Sequence, residues 1–211
     1  MQIEFRHVSL RLGANQVFSD LDLTVPAGEK WLLRGPSGSG KSTLLRMIPG
    51  FVQPDAGSLW IDGQELNRDN VWSLRHRMAY VAQDVQIGTG TVEQLIRDIL
   101  GYRANRHLTY RETEVLDHFR RFDLTAAHLR QPIRHLSGGE RQRLAIIIAL
   151  LLDRELYLLD EVTSAMDADL RGKVIQYLGS LENKTMLVVS HDPGWEQEGF
   201  RVWPINQMQR P

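Results

Sequence analysis

The sequence predicts an α/β fold: a core built on a mainly parallel sheet, an antiparallel β subdomain at the N-terminus and an inserted α-helical subdomain. Three observations point to it. Leu156-Tyr157-Leu158-Leu159 and Met186-Leu187-Val188-Val189 are unbroken apolar runs, the pattern of parallel strands covered on both faces. Trp31-Leu32-Leu33 reads as a short buried strand that runs into the glycine-rich Gly35 to Gly40 segment, after which Ser42 to Ile48 is helical until Pro49-Gly50 stops it. Between about Asp84 and Leu152 the character changes to helical.

From Ile3 to Val25 apolar residues tend to alternate, with Leu21, Leu23 and Val25 on one side of a strand that ends at Pro26-Ala27-Gly28-Glu29, which predicts an antiparallel β edge. Leu59-Trp60-Ile61 before Asp62-Gly63 predicts a further strand and turn, and Met78 to Ala82 another strand. In the helical stretch, Thr91-Val92-Glu93-Gln94 and Thr109-Tyr110-Arg111-Glu112 both fit the capping-box pattern that opens helices. No internal repeat, low-complexity tract or heptad seam is present. The expected organisation is one domain over 1–211: residues 1–83 and 154–211 form the core with its β subdomain, and about 84–153 the helical subdomain. The sequence after His191 is short, so no appended regulatory domain is expected.

Composition narrows the function classes. The 42% hydrophobic and 24% charged content is that of an ordinary globular chain and argues against disorder or a fibrous repeat. Lys plus Arg number 25 against 26 Asp plus Glu, so no basic field steers the chain onto nucleic acid, and no nucleic-acid partner is expected. Cysteine is absent, which excludes thiol chemistry and fits a reducing compartment. The start, Met1-Gln2-Ile3-Glu4-Phe5, lacks the basic stretch and apolar core of a signal peptide, so a cytoplasmic location is expected. The longest apolar run, Leu144 to Leu152, has nine residues, whereas a bilayer span takes roughly 20. Any membrane role must come through a partner.

Gly35-Pro36-Ser37-Gly38-Ser39-Gly40-Lys41-Ser42 matches the phosphate-loop pattern completely, between a predicted strand and a predicted helix. The glycines let backbone N–H groups converge on phosphate oxygens, the helix N-terminus adds its positive end, and Lys41 reaches the β and γ phosphates. Ser42 offers a hydroxyl to Mg²⁺, and Thr43 follows it as part of the same nucleotide-contacting segment. The fold class is therefore a P-loop triphosphatase core. Asp160 and Glu161 end a buried strand at the sheet's carboxyl edge, where Asp160 suits a Mg²⁺ shell and Glu161 can polarise an attacking water. Two acids ending a strand also occur as a plain solvated loop. Leu136-Ser137-Gly138-Gly139-Glu140 precedes a helix; Ser137 and Glu140 are spaced as a capping box, while the two glycines leave bare N–H groups open to an anion. Both readings stand at this level.

Leu136 to Glu140 resembles the signature motif of ABC transporters, and with the phosphate loop and the Asp160-Glu161 pair it resembles their nucleotide-binding domains across nearly the whole chain. Gln83 is similar to the family's Q-loop glutamine, Ser164-Ala165-Met166-Asp167 to its D-loop, and His191 after Val188-Val189-Ser190 to its switch histidine. The resemblance implies ATP and Mg²⁺ as ligands, with Ser42, Gln83 and Asp160 as the metal set and Glu161 and His191 as catalytic residues. It also implies a head-to-tail homodimer in which the phosphate loop of one copy faces Ser137, Gly138, Gly139 and Glu140 of the other, with Asp167 nearby. An integral membrane permease subunit is the implied partner, on the cytoplasmic face of the membrane. It would dock on the region of Val85, Ile87 and the Val92 to Leu100 helix, whereas the basic cluster Arg103, Arg106 and His107 reads as solvated surface. The compact form resembles small bacterial exporters, including the iron-export type.

Two other classes share these motifs. Non-transport ABC ATPases acting on DNA or ribosomes carry long coiled coils or paired cassettes, which this sequence lacks; a non-hydrolysing nucleotide-gated module would not need Glu161 and His191. One departure from the family pattern is Leu12, which stands where members place an aromatic that stacks on adenine; Phe18 is a conceivable substitute whose place in the strand suits core packing better.

Overall fold

The first 25 residues fold back on themselves in the computed structural model, which describes residues 1–205; residues 206–211, the end of the expected core segment 154–211, lie outside the described residues. Strands β1 (Ile3–Leu12) and β2 (Asn15–Val25) pair antiparallel, with Ile3 opposite Val25 and Phe5 opposite Leu23. Strand β3 (Lys30–Arg34) leads through the glycine loop to helix α1 (Lys41–Met47). Strands β4 (Ala56–Ile61) and β5 (Gln64–Glu65) complete an antiparallel sheet in the order β2-β1-β4-β5. At Gly57 (φ 80°) a side chain would meet the carbonyl oxygens of His7 at 2.3 Å and Arg6 at 2.5 Å, so the bulge where β1 skips register with β4 requires glycine.

Helix α2 (Val71–Arg75) precedes β6 (Met78–Val81), and helices α3 (Val92–Gly101), α4 (Glu112–Arg121), α5 (Ala127–Arg130) and α6 (Gly138–Leu151) follow. The chain then returns through β7 (Leu156–Asp160), α7 (Ala168–Ser180), β8 (Thr185–Val189), α8 (Gly194–Gln197) and β9 (Arg201–Pro204). The second sheet is wholly parallel, in the order β6-β7-β8-β3-β9.

The unbroken apolar runs are explained by this sheet lying between two cores. Leu156, Leu158, Leu187, Val189 and Leu33 face α1 and the antiparallel sheet, whereas Tyr157, Leu159, Met186, Val188 and Leu32 face the helical side. Every residue of β7 and β8 is buried, so the period-2 alternation separates two apolar faces rather than an apolar from a polar one.

Two expectations need amendment. Thr91 caps α3 by accepting from the Gln94 N–H at 3.3 Å, but Thr109 caps nothing: α4 begins at Glu112 with Arg111 at its N-cap and no side-chain cap. The preceding residue, Tyr110, is instead engaged by Arg97, whose guanidinium lies 3.7 Å from the ring centre, and Glu112 and Glu114 complement the helix N-terminus as first-turn acids. The segment after His191, short as it is, contributes β9, a parallel edge strand missed because its four residues end in proline and show no apolar alternation.

Candidate active site

The carboxyl ends of β3, β7 and β8 open onto one cleft, closed on its outer side by Leu12, Asn15, Gln16 and Val17 from the β1–β2 turn. Its floor is the glycine loop. Gly38 (φ 76°) and Gly40 (φ 96°) take left-handed conformations, and at Gly40 a side chain would also strike Val17 at 2.7 Å and the Phe18 ring at 2.9 Å. The loop's backbone is thereby turned into the cleft at the N-terminus of α1, the geometry of an anion cradle. Lys41 is buried, and its ammonium donates to the carbonyls of Gly35 (2.7 Å) and Pro36 (2.9 Å). Burial lowers its pKa, opposed by Glu161 and Asp160.

Ser42 Oγ donates to Asp160 Oδ1 at 2.9 Å, joining the start of α1 to the end of β7 across 118 positions of sequence. Glu161 follows in a left-handed conformation (φ 50°), its N–H donating to the Val189 carbonyl at 2.9 Å and its own carbonyl accepting from the Ser164 N–H and hydroxyl. A non-glycine residue in that region stores strain of order 1–3 kcal/mol. The strain is maintained by β8, which fixes the turn and directs the carboxylate into the cleft. There Glu161 Oε1 lies 3.6 Å from Nε2 of His191, which is two-thirds exposed. Burial raises the pKa of both Asp160 and Glu161; the Ser42 hydroxyl opposes it at Asp160, and His191 opposes it at Glu161. Ser37, Thr43 and Gln83 complete the lining.

The residues present fit a nucleotide triphosphate with a hard cation. Ser39 Oγ is buried without a hydrogen-bond partner, Lys41 is paired only with neutral carbonyls, and the Ser42–Asp160 pair together with the cleft-lining Gln83 supplies oxygen ligands.

Five of the sequence-derived site residues lie elsewhere. Ser137, Gly138, Gly139 and Glu140 form the first turn of α6 and do not line the cleft. The capping box is complete, Ser137 Oγ accepting from the Glu140 N–H (3.2 Å) and Glu140 Oε2 from the Ser137 N–H (2.7 Å). Ser137 and Gly138 are exposed, and nothing lies within 4 Å of a side-chain position on Gly138, so the turn is both capped and open at its end. Asp167, also outside the cleft lining, caps α7 by accepting from the Leu170 N–H at 2.9 Å.

Residues 18–164, well over half of the chain, match the sequence profile of the family described as ABC transporter. The chain belongs to the ABC transporter family. It corresponds to the family's ATP-binding domain. Among its relatives, an ATP-dependent lipid A-core flippase of Methylococcus capsulatus is 40% identical over 202 residues, covering 90% of this chain and 33% of that protein. The iron-sulfur clusters transporter atm1 of Neurospora crassa is 33% identical over 214 residues, covering 90% and 28%. The chain thus spans about a third of the length of the curated relatives it matches. A dimeric post-hydrolysis structure of the ATP-binding cassette MJ0796 bound to ADP and Pi superimposes with a TM-score of 0.82 at 26% identity, over 96% of this chain and 93% of that one. A bacterial Atm1-family ABC exporter with ATP bound has the same fold, with a TM-score of 0.85 at 24% identity over 98% of this chain and 37% of that one.

Several residues that shape this ABC domain's site escape sequence reading. Val17 supports Gly40 and lines the cleft, with only its place in β2 to mark it. Phe18 is fully buried beneath Gly40, which leaves Leu12, half exposed, as the side chain at the outer wall. Gln142, buried in α6, donates to the Ala82 carbonyl at 3.2 Å, immediately before Gln83. Arg171 holds Asp192 at 2.6 Å, next to His191, and Asp192 also accepts from the Gly194 N–H; the Asp192-Pro193-Gly194 run is the local signal of that turn.

Among the described residues no helix is long and apolar enough to cross a membrane.

Proposed function

We propose that the chain hydrolyses ATP in sites shared head to tail by two copies, and that closing and opening of the pair drives a membrane permease. The observation that carries this reading is the division of the functional residues. Lys41, Ser42, Asp160, Glu161 and His191 sit in or beside one cleft, while the Ser137-Gly138-Gly139 turn faces solvent outside it. A helix N-terminus that faces solvent outside the cleft is placed to complete an anion site on a second copy.

In this reading Lys41 exchanges the Gly35 and Pro36 carbonyls for phosphate oxygens. Ser42, Asp160 and Gln83 would hold Mg²⁺, which supplies charge neutralisation on the phosphates when bound. Glu161, its pKa raised by burial, accepts the proton of the attacking water, and His191, 3.6 Å from that carboxylate, would contact the γ-phosphate. Ser137 and the Gly138 and Gly139 N–H groups of the second copy cover the same phosphate. Removal of the γ-phosphate loosens the pair. The groove between the Asp84–Thr91 segment and Ile133, Arg134 and Arg141 lies beside Gln83, where a helix of the membrane subunit would transmit the motion at the cytoplasmic face.

The test is Glu161→Gln, which keeps closure and removes water activation. In sedimentation it should form a dimer with ATP and Mg²⁺ that the unsubstituted chain forms only transiently, and Lys41→Ala should neither bind nucleotide nor dimerise. A Glu161→Gln chain that stays monomeric at saturating ATP contradicts the shared site.

A further inference from the structure

The first turn of α6 carries a carboxylate three residues from Ser137, and that is a liability in an anion site. A Glu140 side chain free to swing would compete as an internal anion for the Gly138 and Gly139 N–H groups, or stand as a like charge against an incoming phosphate. In the structure neither oxygen is free. Oε2 accepts from the Ser137 N–H at 2.7 Å, and Oε1 lies 3.2 Å from Nε2 of His128, on α5. Both side chains are largely shielded, at 17% exposure for His128 and 23% for Glu140.

His128 is itself oriented. The Thr125 N–H points at Nδ1 from 3.0 Å, and the Thr125 hydroxyl lies at the same distance. Nδ1 also lies 3.2 Å from the Thr125 carbonyl oxygen; with Nδ1 accepting from the Thr125 N–H, the ring proton sits on Nε2, the atom facing Glu140. Leu129, the next residue, is buried in the helical core, so α5 is anchored while its histidine reaches across to α6.

We propose that His128 is a positioning residue of the ATPase site: it donates from Nε2 to Glu140, holds that carboxylate in the capping box, and so keeps the Ser137-Gly138-Gly139 turn open to the γ-phosphate bound by a second copy. The proposal rests on the shared-site reading above. Glu140 is held below the ordinary carboxylate range, first by the Ser137 N–H and then by the Ser137 and His128 side chains, so its charge persists and must be managed rather than titrated away. Ser137 Oγ still has a lone pair after accepting from the Glu140 N–H, and its proton can go to a phosphate oxygen.

The experiment measures ATP-dependent dimerisation of the whole chain in the Glu161→Gln background, with ATP and Mg²⁺ as the ligand. Loss of a hydrogen bond to a charged group predicts that His128→Ala weakens the dimer about tenfold. His128→Gln, which keeps a donor at similar reach, should stay within about threefold. When Glu140→Gln is also present the carboxylate is gone, and His128→Ala should then cost less than about threefold. Equal losses with Glu140 and with Gln at position 140, or no loss in either, would overturn the proposal, since packing alone does not depend on the charge. If His128→Ala unfolds the chain, His128→Gln and His128→Leu carry the test: both fill the site, only glutamine donates, and equal affinities would overturn the proposal. Failure of Glu161→Gln itself to dimerise contradicts the shared site instead.

Discussion

Leu12 forms the outer wall of the cleft where an aromatic ring could cover a nucleobase, and leucine has no π face. Phe18 cannot take the role, because it is fully buried under Gly40. In the proposed reading, base binding would rest on one half-exposed leucine with Val17, and affinity would come mainly from the phosphate loop. Leu12→Tyr should tighten ATP binding about tenfold, near the lower end of the ~1–3 kcal/mol found for base–aromatic stacking, and should sharpen ATP over GTP. Equilibrium titration with both nucleotides checks it; strong ATP preference before the change and no gain after it would mean another residue holds the base. At this scale the sequence is most informative where the chemistry is contiguous. Gly35 to Ser42 declares itself because four specified residues, Gly35, Gly40, Lys41 and Ser42, must fall at fixed places within eight consecutive positions. Ser42 and Asp160 each advertise a role, but their contact at 2.9 Å spans 118 residues and no local pattern encodes it. The strained backbone of Glu161 is equally invisible, because Ser164 fixes it only together with the Val189 carbonyl on β8, a contact no local pattern encodes.

Elements were legible where burial sets the period. The runs that became β7 and β8 are apolar at every position because a core lies on each face. Helix starts were legible where a cap and its partner are both local, as at Ser137 and Glu140, and not where tertiary contact decides, as at Thr109, where Arg97 on a different helix captures Tyr110. The link between elements that bears most on function is Gln142. It ties α6, which presents the exposed Ser137 turn, to the end of β6 just ahead of Gln83. Gln142→Met keeps the volume and removes the donor, leaving the half-buried Ala82 carbonyl without that partner. Chemical denaturation should show a loss of about 1 kcal/mol, the net worth of one partly shielded hydrogen bond. An unchanged midpoint would mean that α6 is held by apolar packing alone.

Across the whole molecule the two sheets are bound together at one end by Arg77, which donates to Asp62 after β4 and to both oxygens of Glu155 before β7, at 2.6–2.7 Å. At the other end they enclose α1, whose Leu44, Leu45, Met47 and Ile48 are completely buried between them. The phosphate loop is thus mounted on a rigid pedestal, while the Ser137 turn is carried outside the cleft by the helical side. No local pattern displays this division of one functional set between two places; only the family resemblance implied it, since motif order by itself says nothing about which motifs meet. The division also supplies the most direct measurement. Lys41→Ala removes the cleft's phosphate contact and leaves the Ser137 turn intact; Ser137→Arg blocks the turn and leaves the cleft intact. Each variant alone should be nearly inactive in phosphate release. Mixed in equal amounts, they can form a pair in which an intact cleft faces an intact turn, and turnover should rise well above that of either alone. If the mixture is no more active than its components, the cleft and the turn do not act across two copies, and the shared-site account is wrong.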